Sequence, residues 1–267
     1  MEKYRIQAST ENLEQKTLSL LAEYGVLIIE NYLSQTEIEK LLPEYDTILE
    51  TENEAIKSLS YPQGVARQIN FEKLKAAEFP QTAETFNAPF MKEVSDAYLG
   101  RPNFFNHEIY VAKDEHEEHN ALNELHYDKL STLKFFLYLN DIDKSNGAFE
   151  AVPSSHKLAQ EIMSFYQERG KKIKNLPNRE IPGKLEKPIP IEGKAGSLIV
   201  FTTDTYHRAG RVEKGKERKI MRGHCRRSPM PKYAPDLFSK QWLNESFLNP
   251  KKYLYGLTDL MGKKKPY

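Results

Sequence analysis

The chain has 267 residues, enough for one large domain with a substantial core. Its 39 Lys and Arg almost cancel its 38 Asp and Glu, and the signs are mixed, which excludes the broad basic field of a nucleic-acid binder; Lys263-Lys-Lys265 reads as a solubilising end. One cysteine, Cys225, excludes an intrachain disulfide framework, no run is long enough to cross a bilayer, and Met1-Glu-Lys-Tyr-Arg lacks the apolar core of a secretory signal. The expectation is a cytoplasmic protein with a small-molecule substrate and no nucleic-acid or membrane partner, monomer or homodimer being left open.

In chain order, Thr10 to Tyr24 carries Leu13, Thr17, Leu20, Leu21 and Tyr24 at helical spacing, with Gly25 where a helix-ending glycine belongs. Val26-Leu-Ile-Ile29 reads as a short buried strand, and Ser34-Gln-Thr-Glu37 as a capping box opening a second helix with Ile38, Leu41 and Leu42 on one face. Residues 51–80 are mixed and give no clear element, and Phe86 to Leu99 reads as a third helix stopped by Gly100 and Pro102. The pattern then changes to short runs separated by Gly, Asn, Asp and Pro: Phe104–Val111, Leu133–Leu139, Phe149–Val152, Ser197–Phe201 and Lys219–Arg226. That spacing predicts a sandwich or barrel of antiparallel strands with the early helices outside. A helix over Leu158–Tyr166 and a polar, Lys- and Pro-rich connection interrupt it, and Trp242, Phe247, Tyr253 and Tyr255 point to a C-terminal segment that packs back on the body. The whole reads as a single domain over 1–267: a helical part over about 10–100, a strand core over about 103–227 with an insertion at about 157–187, and an extension over 228–267.

The chemistry concentrates in His126-Tyr-Asp128. In an extended segment residues i and i+2 point to one side, so His126 and Asp128 can reach one metal while Tyr127 points away. A third histidine, His207, follows the buried run Ser197–Phe201, about 80 residues on, and Arg218 comes eleven residues after it. Two histidines and a carboxylate can hold Fe(II) on one face and leave positions open for oxygen and an organic co-substrate. Taken alone, His126 and Asp128 also fit a surface pair, and His207 an ordinary strand-end histidine. His116 and His119, in Glu115-His-Glu-Glu-His119, have the spacing of metal ligands but the acidic, non-periodic setting of a solvated loop.

The stretch from His126 through Asn146-Gly147 to Val152-Pro-Ser-Ser-His156, together with Gly196-Ser-Leu-Ile-Val-Phe201, His207 and Arg218, resembles the phytanoyl-CoA dioxygenase family of Fe(II)/2-oxoglutarate-dependent oxygenases. The likeness covers most of residues 10–227. It implies a mainly β fold with flanking helices, a double-stranded β-helix or jelly-roll with the metal inside one mouth. It also implies that His126, Asp128 and His207 ligate iron and that Arg218 binds the distal carboxylate of 2-oxoglutarate, whose co-reactant is O2. Lys113 stands where family members often carry a lysine. Ala209 departs from the pattern, because relatives often place a hydroxyl there for the co-substrate, so Thr132 or Thr203 is a candidate replacement. Ser154 replaces a usual glycine. Relatives that halogenate carry Gly or Ala in place of the acid, so Asp128 favours hydroxylation.

A period-2 reading of residues 218–226 puts Arg218, Ile220, Arg222, His224 and Arg226 on one face and Lys219, Met221, Gly223 and Cys225 on the other. If Arg218 points inward, Arg222 and His224 follow, and buried cations need anionic partners: a substrate carboxylate or phosphate, or neighbouring Asp and Glu. Arg208 beside the third ligand is a similar candidate. Tyr110 and Tyr127 either line the pocket or pack in the sandwich. The reading is a hydroxylase of a small polar or anionic metabolite. A cupin-like hydrolase or isomerase on zinc or manganese, needing no Arg218, and a non-catalytic jelly-roll binding protein are the alternatives.

Overall fold

The computed structural model describes residues 3–118, 123–170, 172, 176–180, 182, 183 and 185–227. Residues Arg5–Gln7 form strand β1, and helix α1 (Leu13–Tyr24) leads through Gly25 into β2 (Val26–Glu30). Helix α2 (Gln35–Glu50) opens with the expected capping box: Glu37 N donates to Ser34 Oγ, and Ser34 N donates back to Glu37 Oε2. The stretch that the sequence leaves undefined forms β3 (Ile56–Ser58) and β4 (Gly64–Asn70) at one edge of the sheet. The expected third helix over Phe86–Leu99 is α4 (Pro89–Leu99), and a further short helix, α3 (Pro80–Phe86), precedes it. Each opens on a proline, which lacks an N–H and so starts a helix more readily than it continues one.

Strands β5 (Asn103–Asp114), β6 (Leu133–Tyr138) and β7 (Phe149–Ala151) follow, then α5 (Ser155–Glu168), β8 (Ile189–Ile191), β9 (Leu198–Thr202), β10 (His207–Arg208) and β11 (Arg218–Arg227). They make an eight-stranded sheet, β1-β2-β9-β6-β11-β5-β4-β3, and a three-stranded one, β10-β7-β8. Every pairing is antiparallel except β1 with β2. Among the described residues no helix is long and apolar enough to cross a membrane.

The period-2 pattern decides which side chains meet. Leu133, Phe135, Leu137, Met221 and Cys225 face one layer, against α1, α2 and α4. Phe136, Tyr138, Ile199, Phe201 and Ile220 face the other, against Phe149, Ala151 and Ile191 of the small sheet. Strand β6 is buried along its whole length, and each large apolar side chain so buried contributes about 1.5–3 kcal/mol. The functional cavity opens within the second layer, between the two sheets.

Two turn positions tie helices to this layer. Gly25 ends α1 at φ +72°, and a Cβ there would lie 2.4 Å from Thr205 Oγ1 and 2.5 Å from His156 Nδ1. Ser154, at the family's glycine, takes φ +67°, and its Oγ donates to the Glu23 carbonyl (3.0 Å) while its N–H donates to that of Tyr24. The serine offsets its left-handed backbone with a bond to the end of α1. The expected packing of Trp242, Phe247, Tyr253 and Tyr255 lies outside the described residues, as does His119.

Candidate metal centre and its chamber

His126 and His207 are joined through their backbones before their side chains meet. His126 N donates to His207 O at 3.0 Å, His207 N returns a bond to His126 O at 2.7 Å, and Asp128 N donates to Thr203 O at 2.8 Å. His207 itself sits on β10, paired with Ala151 of β7. The fold therefore holds two sequence-distant segments in register, and one ligand atom from each of His126, Asp128 and His207 lies within 4.8 Å of the others.

Both imidazoles are oriented for ligation. His126 Nδ1 lies 2.8 Å from the Glu124 carbonyl and His207 Nδ1 lies 2.7 Å from the Thr205 carbonyl. A carbonyl only accepts, so each Nδ1 donates its proton there, and Nε2 is the ring nitrogen left to turn toward the cluster. Burial is the main reason that His207 is held down to about 3, and Lys134 and His126 add to it against the opposing pull of Asp128. Burial works against ionisation of Asp128, yet Lys134, then His207 and His126, more than offset it and bring the carboxyl down to about 2. An ionised carboxylate and two imidazoles that present Nε2 are the donor set that a hard-to-borderline divalent ion needs.

Lys134 was not legible as a site residue. It sits on β6 with only 10% of its side chain exposed, and its Nζ donates to Asp128 Oδ2 at 3.0 Å. The other carboxylate oxygen, Oδ1, stands 3.7 Å from His126 Nε2. Its one sequence signal is a charge inside the apolar run Leu133–Leu139, at a position whose parity faces Asp128. Tyr61, on the stretch between β3 and β4, is a second residue missed: its hydroxyl donates to Asp114 Oδ1 at 2.5 Å and lines the chamber.

The chamber has a volume of about 150 Å³ and is walled by Phe136, Phe149 and Phe201 beside the three candidate ligands. Arg218 and Arg222 both reach it, as the period-2 reading predicts. Arg218 is buried against Asp114, whose side chain is 0% exposed; Nε and Nη2 donate to Asp114 Oδ2 at 2.6 and 2.5 Å, and Nη1 donates to the Gly147 carbonyl. Burial weighs against its charge, and Asp114 outweighs that, raising its pKa. An outer cleft of about 730 Å³ shares Arg208 and Ala209 with the chamber. Arg208 stands at that rim, its Nη2 2.6 Å from Glu150 Oε2.

Several expected site residues are placed elsewhere. Lys113 turns to the opposite face of β5, where it pairs with Glu115 (3.0 Å) and Glu217 (3.3 Å); its parity differs by one from that of Asp114. Thr132 does not line the chamber: its Oγ1 donates to Leu130 O and its N–H to Thr203 Oγ1, so neither threonine supplies a hydroxyl in place of Ala209. Tyr127 is fully buried away from the metal cluster, edge-on to Tyr206 at 5.2 Å. Tyr110 lies on the inner face without lining the chamber, stacked on His224 at 4.3 Å. His224 does not line the chamber either, and burial, with Lys134, Arg222 and Arg226 adding to it, holds its pKa well below the usual imidazole value. Among the other histidines, exposed His116 has Nδ1 2.8 Å from the Val212 carbonyl.

The family model for phytanoyl-CoA dioxygenase (PhyH) matches residues 21–220. No curated protein sequence matches the chain. Among solved structures, the epimerase SnoN in complex with Fe3+, alpha ketoglutarate and nogalamycin RO is 15% identical with a TM-score of 0.58, over 86% of this chain and 91% of that one. The non-heme alpha ketoglutarate dependent carbocyclase SnoK from nogalamycin biosynthesis is 17% identical with a TM-score of 0.55, over 82% and 85%. AviO1 from Streptomyces viridochromogenes Tue57 is 14% identical with a TM-score of 0.53, over 82% and 96%. These likenesses establish the jelly-roll fold, and the match over most of the chain shows that it belongs to the phytanoyl-CoA dioxygenase (PhyH) family.

Proposed function

We propose that the protein is an Fe(II)/2-oxoglutarate-dependent oxygenase that hydroxylates a C–H bond of a small polar or anionic metabolite in the cytoplasm. The observation that carries this reading is the convergence of His126, Asp128 and His207 within 4.8 Å, with both Nδ1 atoms committed to backbone carbonyls. When bound, iron with 2-oxoglutarate and dioxygen supplies an oxidant for an unactivated C–H bond, the co-substrate leaving as succinate and CO2.

The protein's own contribution is placement and shielding. His126 and His207 offer Nε2, and Asp128 offers the oxygen that Lys134 does not hold. Arg218 is assigned the distal carboxylate of 2-oxoglutarate. Asp114 and Gly147 occupy one edge and one corner of its guanidinium, fixing its plane while leaving one N–H on each Nη for a ligand. Phe136, Phe149 and Phe201 limit water at the reacting carbon. A carboxylate at position 128 fills the coordination place that halide would need. SnoN is an epimerase and SnoK a carbocyclase, so the outcome at carbon is the finer part of the proposal.

The test is anaerobic addition of Fe(II) and 2-oxoglutarate. The expected result is the weak visible charge-transfer band of a chelated 2-oxo acid, followed in air by succinate release that a carboxylate- and phosphate-rich metabolite set stimulates. Folded protein that gives no band would overturn the oxygenase reading in favour of a hydrolytic or binding role.

A further inference from the structure

Among the described residues, the basic side chains around the chamber close in pairs, with one exception. Lys134 is held by Asp128, Arg218 by Asp114, and Arg208 at the rim by Glu150. Farther along the same face of β11, Arg226 is held by Glu108 at 3.1 Å. Arg222 lines the chamber, and among the described residues no carboxylate or carbonyl accepts from it. Its guanidinium carbon lies 5.1 Å from the centre of the Tyr110 ring, and its Nε is buried without a hydrogen-bond partner. Two residues on, His224 Nε2 is likewise buried and unpartnered. A ring face orients a guanidinium without neutralising it, so the site carries a positive charge and a buried donor that nothing among the described residues answers.

A divalent ion at the three candidate ligands and a 2-oxoglutarate dianion cancel each other in charge. Among the described residues that face the chamber, the remaining unanswered charge is that of Arg222. From this, and resting on the oxygenase reading above, we infer that Arg222 is the recognition point for one anionic group of the primary substrate, a carboxylate or phosphate, separate from the co-substrate site at Arg218. Arg218 and Arg222 share one face of β11 four residues apart, roughly 13 Å along an extended strand. That spacing lets one strand hold two anions at different ends of the chamber. Tyr110 then acts as the platform that keeps the Arg222 fork in place.

The test uses full-length protein loaded with Mn(II), which needs no turnover, with inorganic phosphate as the probe anion. Its binding is followed by calorimetry and by the relaxation that bound Mn(II) imposes on the 31P signal. With 2-oxoglutarate saturating, phosphate is expected still to bind and to sense the metal. Arg222→Gln is expected to weaken phosphate by about tenfold or more, with Arg222→Lys keeping most of the affinity, since the charge-assisted contact is lost in one and retained in the other. Phosphate displaced competitively by 2-oxoglutarate would place the anion at the co-substrate site and overturn the inference. Equal phosphate affinity in wild type and Arg222→Gln would identify an adventitious ion only. Phosphate binding through Arg222 in a protein that never binds 2-oxoglutarate would instead sink the oxygenase reading and leave the anion site standing.

Discussion

Replacing Asp114 by Asn tests whether the Arg218–Asp114 pair holds the inner end of the jelly-roll together. The two side chains are 2% and 0% exposed and meet through two nitrogens on one carboxylate oxygen, while Tyr61 donates to the other oxygen. The substitution keeps the shape and an acceptor but removes the charge that compensates a buried guanidinium. Breaking such a pair from one side costs about 3–5 kcal/mol, because an uncompensated charge remains in low dielectric. At roughly 2–4 °C of Tm per kcal/mol for a chain of this size, Asp114→Asn should melt about 6–20 °C below wild type. Differential scanning calorimetry without added metal or 2-oxoglutarate isolates the effect from ligand binding. The double variant Asp114→Asn/Arg218→Met should recover a large part of the loss, since it removes the orphaned charge. A single-variant shift below about 2 °C, or a double variant that melts lower than the sum of both singles, would refute a buried pair in which Asp114 compensates the Arg218 charge.

Three further outcomes follow from the same geometry. Arg218→Lys keeps the charge beside Asp114 but loses the planar fork, so 2-oxoglutarate affinity should fall about tenfold, read by titrating the charge-transfer band; unchanged affinity would place the co-substrate carboxylate elsewhere. His224 is held neutral by burial, with its pKa well below 6.5, so below that pH the unfolded chain binds a proton that the native chain refuses and stability falls as pH falls. His224→Gln should flatten the decline in Tm between about pH 6.5 and 4.5 relative to wild type, and parallel curves would show that His224 titrates freely. Gly25→Ala must fit a Cβ 2.4 Å from Thr205 Oγ1 at φ +72°, which should cost about 1–3 kcal/mol by chemical denaturation; a neutral effect would mean that α1 and the Thr205 turn shift apart freely.

Several features of this protein were fixed by local pattern. The capping box at Ser34, the strand parity of 218–226 and the same-side placement of His126 and Asp128 depend on backbone periods of 3.6 and 2, which neighbours in sequence reveal. The family's fold and the candidate iron ligands were legible for the same reason, since their motifs are short and contiguous apart from His207 and Arg218. Period also shows where the reading failed: Lys113 and Asp114 are adjacent, so they face opposite sides of β5, and the acid rather than the lysine turns inward.

What only the tertiary structure decided was partnership. Strands β3 and β4 have weak local patterns and exist because β5 offers an edge to pair with. Lys134 reads as an interruption of an apolar strand until the fold sets Asp128, six residues earlier, at 3.0 Å from its Nζ. Arg218 and Arg222 look equivalent along the chain, yet one meets a buried aspartate more than a hundred residues away and the other, among the described residues, meets only an aromatic ring. Charge compensation acts through space over a few ångströms, so whether a buried cation finds its counter-charge inside the protein is settled by folding, not by its neighbours in sequence.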